Sequence, residues 1–208
     1  MKNGNSTILG QLGPEILLNC YANGIFPMVE DGQLYWFSPD PRGVLPMDGS
    51  LHVPRRLRRT LRGPKFQTTR NVCFERVMRC CATCGTGRDQ GTWISPEMIS
   101  AYAQLHELGF AVSFETWHAG RVDDGNPVGG LYGVAIGKAF FGESMFHTVT
   151  DAGKMALVRS VEFLRQEGFR LYDIQWTTPN LKRYGAYEIS RHEYLRRLAE
   201  ATKPALQE

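Results

Sequence analysis

Residues 128–176 constrain the fold more than any other part of the chain. The run VGGLYGVAIGKAFFGESMF, Val128 to Phe146, reads as two apolar strands turning at Ile136-Gly137-Lys138. After it, AGKMALVRSVEFLRQEG carries Leu157, Val161 and Leu164 at helical spacing, opens at Asp151 as a cap and stops at Gly168. RLYDIQW then has the look of a buried strand. Strand, helix and strand at these lengths predict a βαβ unit, with parallel strands and a right-handed crossover. The fold class that follows is α/β.

The same segment holds the residues that most need a chemical reason. In a regular strand Phe141, Glu143 and Met145 share a face, so Glu143 sits among oily neighbours, where a carboxylate is costly to keep charged. Alternation in the last strand puts Leu171, Asp173 and Gln175 on one face and Tyr172, Ile174 and Trp176 on the other. Two acids and an amide gathered near strand ends suit proton transfer and the positioning of a polar nucleophile. The structural alternative is that Asp173 and Gln175 satisfy backbone groups while Glu143 pairs with an arginine.

Upstream, PEILLNCYANG predicts a short helix ended by Gly24. The stretch SPDPRG, Ser38 to Gly43, marks a turn or a domain joint. Next comes HVPRRLRRTLRGPK, with Pro54 in a first turn, arginines at 55, 56, 58, 59 and 62, and Leu57 and Leu61 on one face. No acid lies between Asp48 and Glu75, so this helix presents a one-sign surface of the kind that attracts phosphates without reading sequence. The alternative is a solvated face whose arginines pair with nearby acids. GTWISPEMISAYAQLHELGF predicts a helix capped by Ser95 and stopped by Gly109, and AVSFETWH a strand.

At 42% hydrophobic and 22% charged, the composition is that of a globular protein, and no apolar run is long enough to span a bilayer. The first fifteen residues lack a leader's apolar core, so the expected compartment is the cytoplasm. Cys81-x-x-Cys84 could be half a zinc site, but no second pair matches it, and reduced thiols are the better reading.

Several stretches together resemble the leucyl/phenylalanyl-tRNA–protein transferases: YANGIFPM, WFSPDPRGVLP, GTWISPEMISAYAQLHELGFAVSFETW, GGLYGVAIGKAFFGESMFH, DAGKMAL and LYDIQWTTPNLKRYGAYEISRHEYL. They run in family order from Tyr21 to Leu195. The resemblance implies a small N-terminal domain, residues 1–42, joined to an acetyltransferase-like (GNAT-like) α/β domain with a mixed sheet, residues 43–208, the latter including the basic helix near 54–62. It also implies transfer of Leu or Phe, and Met less well, from aminoacyl-tRNA to proteins with an N-terminal Lys or Arg, which marks them for degradation. The 3′ end and the acceptor stem of the tRNA would be bound, by a monomer, with no metal and no cofactor.

By the same resemblance Asp173, Gln175 and Glu143 fall on catalytic positions. Leu131, Phe140, Met145, Leu157 and Tyr172 fall on the aminoacyl side-chain pocket. Tyr21, Trp93 and Tyr102 match aromatics around the terminal nucleotide and the pocket, and Arg55, Arg58, Arg59 and Arg62 the stretch that meets the acceptor stem. Asp173 is then expected to accept a hydrogen bond or a proton from the attacking amine, and Glu143 to anchor the α-ammonium or the ribose. Two rivals are an acetyl-coenzyme A N-acetyltransferase and a non-catalytic RNA-binding module. FHTVTDAGKMAL lacks the glycine-rich turn that the first would use for pyrophosphate, and the second leaves GESMF and D-x-Q unexplained.

Overall fold

The computed structural model describes residues 12–84 and 92–203, so most of the segment on which the leader reading rests lies outside the described residues. In chain order the first elements are α1 (Pro14–Ala22), the hairpin β1 (Phe26–Glu30) and β2 (Gln33–Phe37), β3 (Arg42–Leu45), α2 (Arg55–Arg62), β4 (Phe66–Arg70) and α3 (Phe74–Thr83). Then follow α4 (Pro96–Glu107), β5 (Ala111–His118), β6 (Gly129–Ile136), β7 (Ala139–His147), α5 (Ala152–Gln166), β8 (Leu171–Gln175), α6 (Pro179–Lys182), β9 (Tyr187–Ile189) and α7 (Arg191–Thr202). Seven strands hydrogen-bond in the order β4-β5-β6-β7-β8-β3-β9. β7 and β8 pair in parallel, while β3 is antiparallel to both β8 and β9, so the sheet is mixed as expected.

The local signals explain most elements. The Ser95 hydroxyl accepts from Met98 N–H at 3.3 Å and starts α4, with Pro96 in the first turn, where its missing N–H costs nothing. Gly137 (φ 57°) takes the left-handed backbone that the β6–β7 turn needs. Along α5, Leu157, Val161 and Leu164 are all buried, as their spacing requires. The Asp151 carboxylate goes to Lys154 Nζ at 2.8 Å.

Two stretches differ from expectation. Ser38–Gly43 reads as a turn or a domain joint; the chain does bend at Asp40 and Pro41, but Arg42 and Gly43 already open β3, which lies between β8 and β9. The proline and glycine signal is local, whereas the partners that make this segment a strand lie more than a hundred residues away. Helix α3 was not anticipated, although Phe74, Val77, Met78 and Cys81 form its buried stripe at helical spacing. Cys73 precedes it, and burial, then the nearby Glu115 charge, pushes that thiol up to about 12. Among the described residues no group of three or more His, Cys, Asp or Glu is placed to hold a metal ion, and no helix is long and apolar enough to cross a membrane.

The chain forms two compact units. The first takes residues up to His52, Ala135–Gly142 and Leu164 onward; the second takes Val53–Val134 and Glu143–Phe163. β6, β7 and α5 each contribute residues to both units. In the first, Leu17 and Tyr21 are the buried side of α1, and Tyr21 rests on Phe141 with ring centroids 5.0 Å apart. In the second, β4 pairs with β5 and β5 with β6, and α4 buries Met98, Ile99, Ala101, Tyr102 and Leu105.

Candidate active site

Within the first unit, β8 delivers Asp173 and Gln175, and the chain does something at each that alternation does not foresee. Asp173 is 0% exposed and meets Arg42, itself 1% exposed, through two bonds: Nε to Oδ1 at 2.9 Å and Nη2 to Oδ2 at 2.6 Å. This is the fork geometry of a bidentate guanidinium–carboxylate pair. Tyr194, from α7, donates its hydroxyl to Oδ2 at 2.8 Å. The Gln175 backbone N–H donates to Oδ1 at 2.9 Å. Each carboxylate oxygen therefore accepts two hydrogen bonds, which fills the usual lone-pair capacity of the group.

Arg42 is held in turn. It donates to Gly24 O at 3.1 Å, and its guanidinium lies 4.7 Å from the Phe26 ring centroid and 4.5 Å from that of Tyr194. Cation–π contact with two rings at once suits arginine rather than lysine. Burial first, then the Asp173 charge, pushes the Tyr194 phenol well above the usual range, so it stays a hydroxyl donor.

Gln175 leaves the strand conformation. Its φ is 57°, and Trp176 N–H donates to Ile174 O at 2.6 Å across it, closing a three-residue turn. A turn of that size with positive φ at its centre is rare and strained, and a left-handed non-glycine residue costs about 1–2 kcal/mol. Gly43, its partner on β3, makes room for the turn: a Cβ there would stand 2.9 Å from Thr177 N and Trp176 C. Phe140 and Tyr172, both buried, meet edge to face at 4.8 Å. The Tyr172 ring also lies where a side chain on Gly142 would go, at 2.9 Å.

The second unit holds the other expected residues. Tyr102, fully buried in α4, points its hydroxyl at Glu143 Oε2 at 3.5 Å, the long limit of a hydrogen bond. Glu143 and Met145 are half-buried, as is Trp93, while Leu131 and Leu157 are buried. Met145 Cγ and Sδ lie 3.3 Å from where a Cβ on Gly153 would stand, so this glycine lets the first turn of α5 close on Met145. Arg55, Arg58, Arg59 and Arg62 are exposed on α2. Just after that helix, Pro64, Lys65, His118, Ala119 and Arg121 line an open hollow of about 520 Å³ that contains none of the expected site residues.

Three residues that build the acid–amide turn were missed by sequence reasoning. Arg42 and Gly43 were absorbed into a turn signal. Tyr194 had a readable one, because Tyr194, Leu198 and Ala201 form the buried stripe of α7. Nothing local marks the Tyr194 hydroxyl as a partner of Asp173.

A mixed α/β chain that strains its backbone at an amide, beside a buried acid, has the form of an enzyme, and its relatives define that enzyme as a transferase. The family model described as leucyl/phenylalanyl-tRNA protein transferase matches residues 44–199, and the model of that family's N-terminal domain matches residues 10–40. A leucyl/phenylalanyl-tRNA–protein transferase from Anaeromyxobacter sp. (strain K) is 50% identical over 200 residues, covering 96% of this chain and 83% of its own. One from Nitratidesulfovibrio vulgaris (strain DP4) is 48% identical over 97% of this chain and 84% of its own. One from Akkermansia muciniphila is 44% identical over 92% and 96%. Among solved structures, a GCN5-related N-acetyltransferase from Sphaerobacter thermophilus aligns with 73% of this chain and 50% of its own, at 16% identity and a TM-score of 0.37, too slight a likeness to bear on the fold or the function. The chain belongs to the leucyl/phenylalanyl-tRNA protein transferase family.

Proposed function

We propose that this chain carries leucine or phenylalanine, and methionine less well, from aminoacyl-tRNA to the α-amine of proteins that begin with lysine or arginine, and that the added residue marks them for degradation. The observation that carries this reading is the family match across residues 44–199, which includes the D-x-Q pair at the strained turn. An aminoacyl ester already holds the driving force, so the enzyme's task is to bring a neutral amine to the carbonyl. The α-amino group has a pKa near 8 and is deprotonated at little cost. Gln175 presents and polarises that amine, and Asp173 is its partner in the pair.

The remaining roles are those that the family resemblance implies. Leu131, Phe140, Met145, Leu157 and Tyr172 accept the apolar side chain being transferred. Glu143 anchors the α-ammonium or the ribose, with Tyr102 at its carboxylate. Tyr21 and Trp93 complete the aromatic surround of the terminal nucleotide. Residues 1–42 serve as the small N-terminal domain and 43–208 as the catalytic one. The enzyme works as a monomer in the cytoplasm, where charged tRNA is made, without a cofactor.

The deciding assay is transfer of labelled leucine from leucyl-tRNA to a peptide with N-terminal arginine, in the absence of coenzyme A. Wild type transfers, and Asp173→Ala loses about a hundredfold or more, in the range that positioned polar groups supply. Wild type that binds RNA but transfers nothing would leave a binding module. The tRNA contact has its own readout. Changing Arg55, Arg58, Arg59 and Arg62 to alanine weakens tRNA retention and flattens its salt dependence by roughly 0.7–0.9 in log–log slope for each phosphate no longer neutralised. An unchanged slope would remove α2 from the interface.

A further inference from the structure

We infer that Arg42 and Tyr194 are positioning residues of the transfer reaction, which act through Asp173 to hold the strained turn and so fix where the Gln175 carboxamide stands. This inference rests on the transfer activity proposed above. Its basis is the full coordination of one buried carboxylate. Arg42 from β3 supplies two donors, Tyr194 from α7 one, and the Gln175 backbone N–H the fourth.

A carboxylate so filled has no lone pair to offer an incoming ammonium or amine unless one of these bonds breaks first. Asp173 is therefore neither the free hydrogen-bond acceptor nor the base for the amine that the sequence reading allows. Its free orientation has been traded for a fixed one, because the Oδ1 that receives Gln175 N–H is the same oxygen that Arg42 Nε grips at 2.9 Å. The proton leaves the amine by another route, to the ribose hydroxyl beside the ester or to solvent, and the carboxamide aligns the nitrogen lone pair with the carbonyl.

The order of dependence runs one way. The turn at Gln175 is unfavourable by itself, since φ is 57° and Trp176 N–H must reach back to Ile174 O. The hydrogen bond from Gln175 N–H to a carboxylate is charge-assisted and local, so it can hold the turn only while the carboxylate stays put. Arg42 and Tyr194 keep it put. They come from different elements and leave Oδ2 no alternative orientation, Arg42 Nη2 at 2.6 Å and the Tyr194 hydroxyl at 2.8 Å. Gly43 supplies the space on the neighbouring strand.

The test is a double-mutant cycle in the leucine-transfer assay. Tyr194→Phe removes one donor and keeps the ring, and it is made both in the wild type and in the Gln175→Ala background. The expected result is a roughly tenfold fall in kcat in the first background, with KM for leucyl-tRNA unchanged, and no further fall in the second, because residues that act as a unit are not additive. Arg42→Lys, which keeps the charge but not the fork, falls at least as far as Tyr194→Phe in the first background. The acid limb of the kcat profile stays where it is in Tyr194→Phe, since the groups facing Asp173 are Arg42, Tyr194 and Gln175 and none is the base.

Equal losses in both backgrounds would overturn the inference, showing that Tyr194 supports the fold and not the amide. So would an acid limb that moves upward in Tyr194→Phe, because a base deprived of a donor titrates later. If wild type transfers nothing, the proposed activity itself fails, and that outcome is visible before any variant is compared.

Discussion

Gln175→Gly is expected to lower transfer by about 10²–10³-fold while leaving the protein as stable as wild type to within about 1 kcal/mol. The two effects separate because they live on different atoms. The carboxamide is removed, and with it the group proposed to meet the amine. The backbone N–H that binds Asp173 Oδ1 at 2.9 Å is kept. Glycine adopts the left-handed φ of 57° without the penalty of a Cβ, and this relief offsets the extra freedom glycine gains in the unfolded chain. Strain retained at a functional residue is a familiar compromise between stability and activity. Thermal unfolding and the leucine-transfer assay on one preparation check both halves. A variant that is inactive and also several kcal/mol less stable would show that the side chain holds the turn and is not merely displayed by it.

Arg42→Met carries the largest expected loss of stability, about 3–5 kcal/mol, because it strands a buried carboxylate whose cation has gone. In a chain of this size each kcal/mol moves Tm by about 2–4 °C, so a drop of about 10 °C is expected. Methionine restores the bulk and much of the packing against Phe26 and Tyr194, so the loss reports chiefly on charge. Pairing the change with Asp173→Leu should recover a good part of it, since replacing a whole buried ion pair by apolar groups is often close to neutral. The double variant would be folded and inactive. A single variant less than 1 kcal/mol below wild type would mean that water reaches the pair in solution.

Much of the fold could be read locally. Ser95-Pro96 announces α4, the stripe of Leu157, Val161 and Leu164 announces α5, and Gly137 the turn between β6 and β7. In each case the causes lie within a few residues of the effect: a side-chain cap, a periodicity or a permitted φ. Asp173 and Gln175 could also be singled out, because an acid and an amide in an apolar strand ask for an explanation. Alternation then failed at Gln175, where a bond from its N–H to an Asp173 carboxylate held by distant residues, and the space left by Gly43, favour a turn over the extended chain. Arg42 was missed for a related reason: its local context, between a proline and a glycine, speaks for a turn, and its partners do not lie nearby.

The sequence by itself determined the family, the βαβ core and the identities of the acid and the amide, all of which depend on residue type and short-range order. Only the tertiary structure decided what Asp173 does. Arg42 lies 131 residues before it and Tyr194 21 residues after, and no periodicity links positions so far apart. They meet because β3 pairs with β8 and α7 carries Tyr194 to the same buried carboxylate. With both oxygens filled, that carboxylate becomes a fixed support for the turn at Gln175, a role that follows from coordination in space and from no property of the residues taken singly.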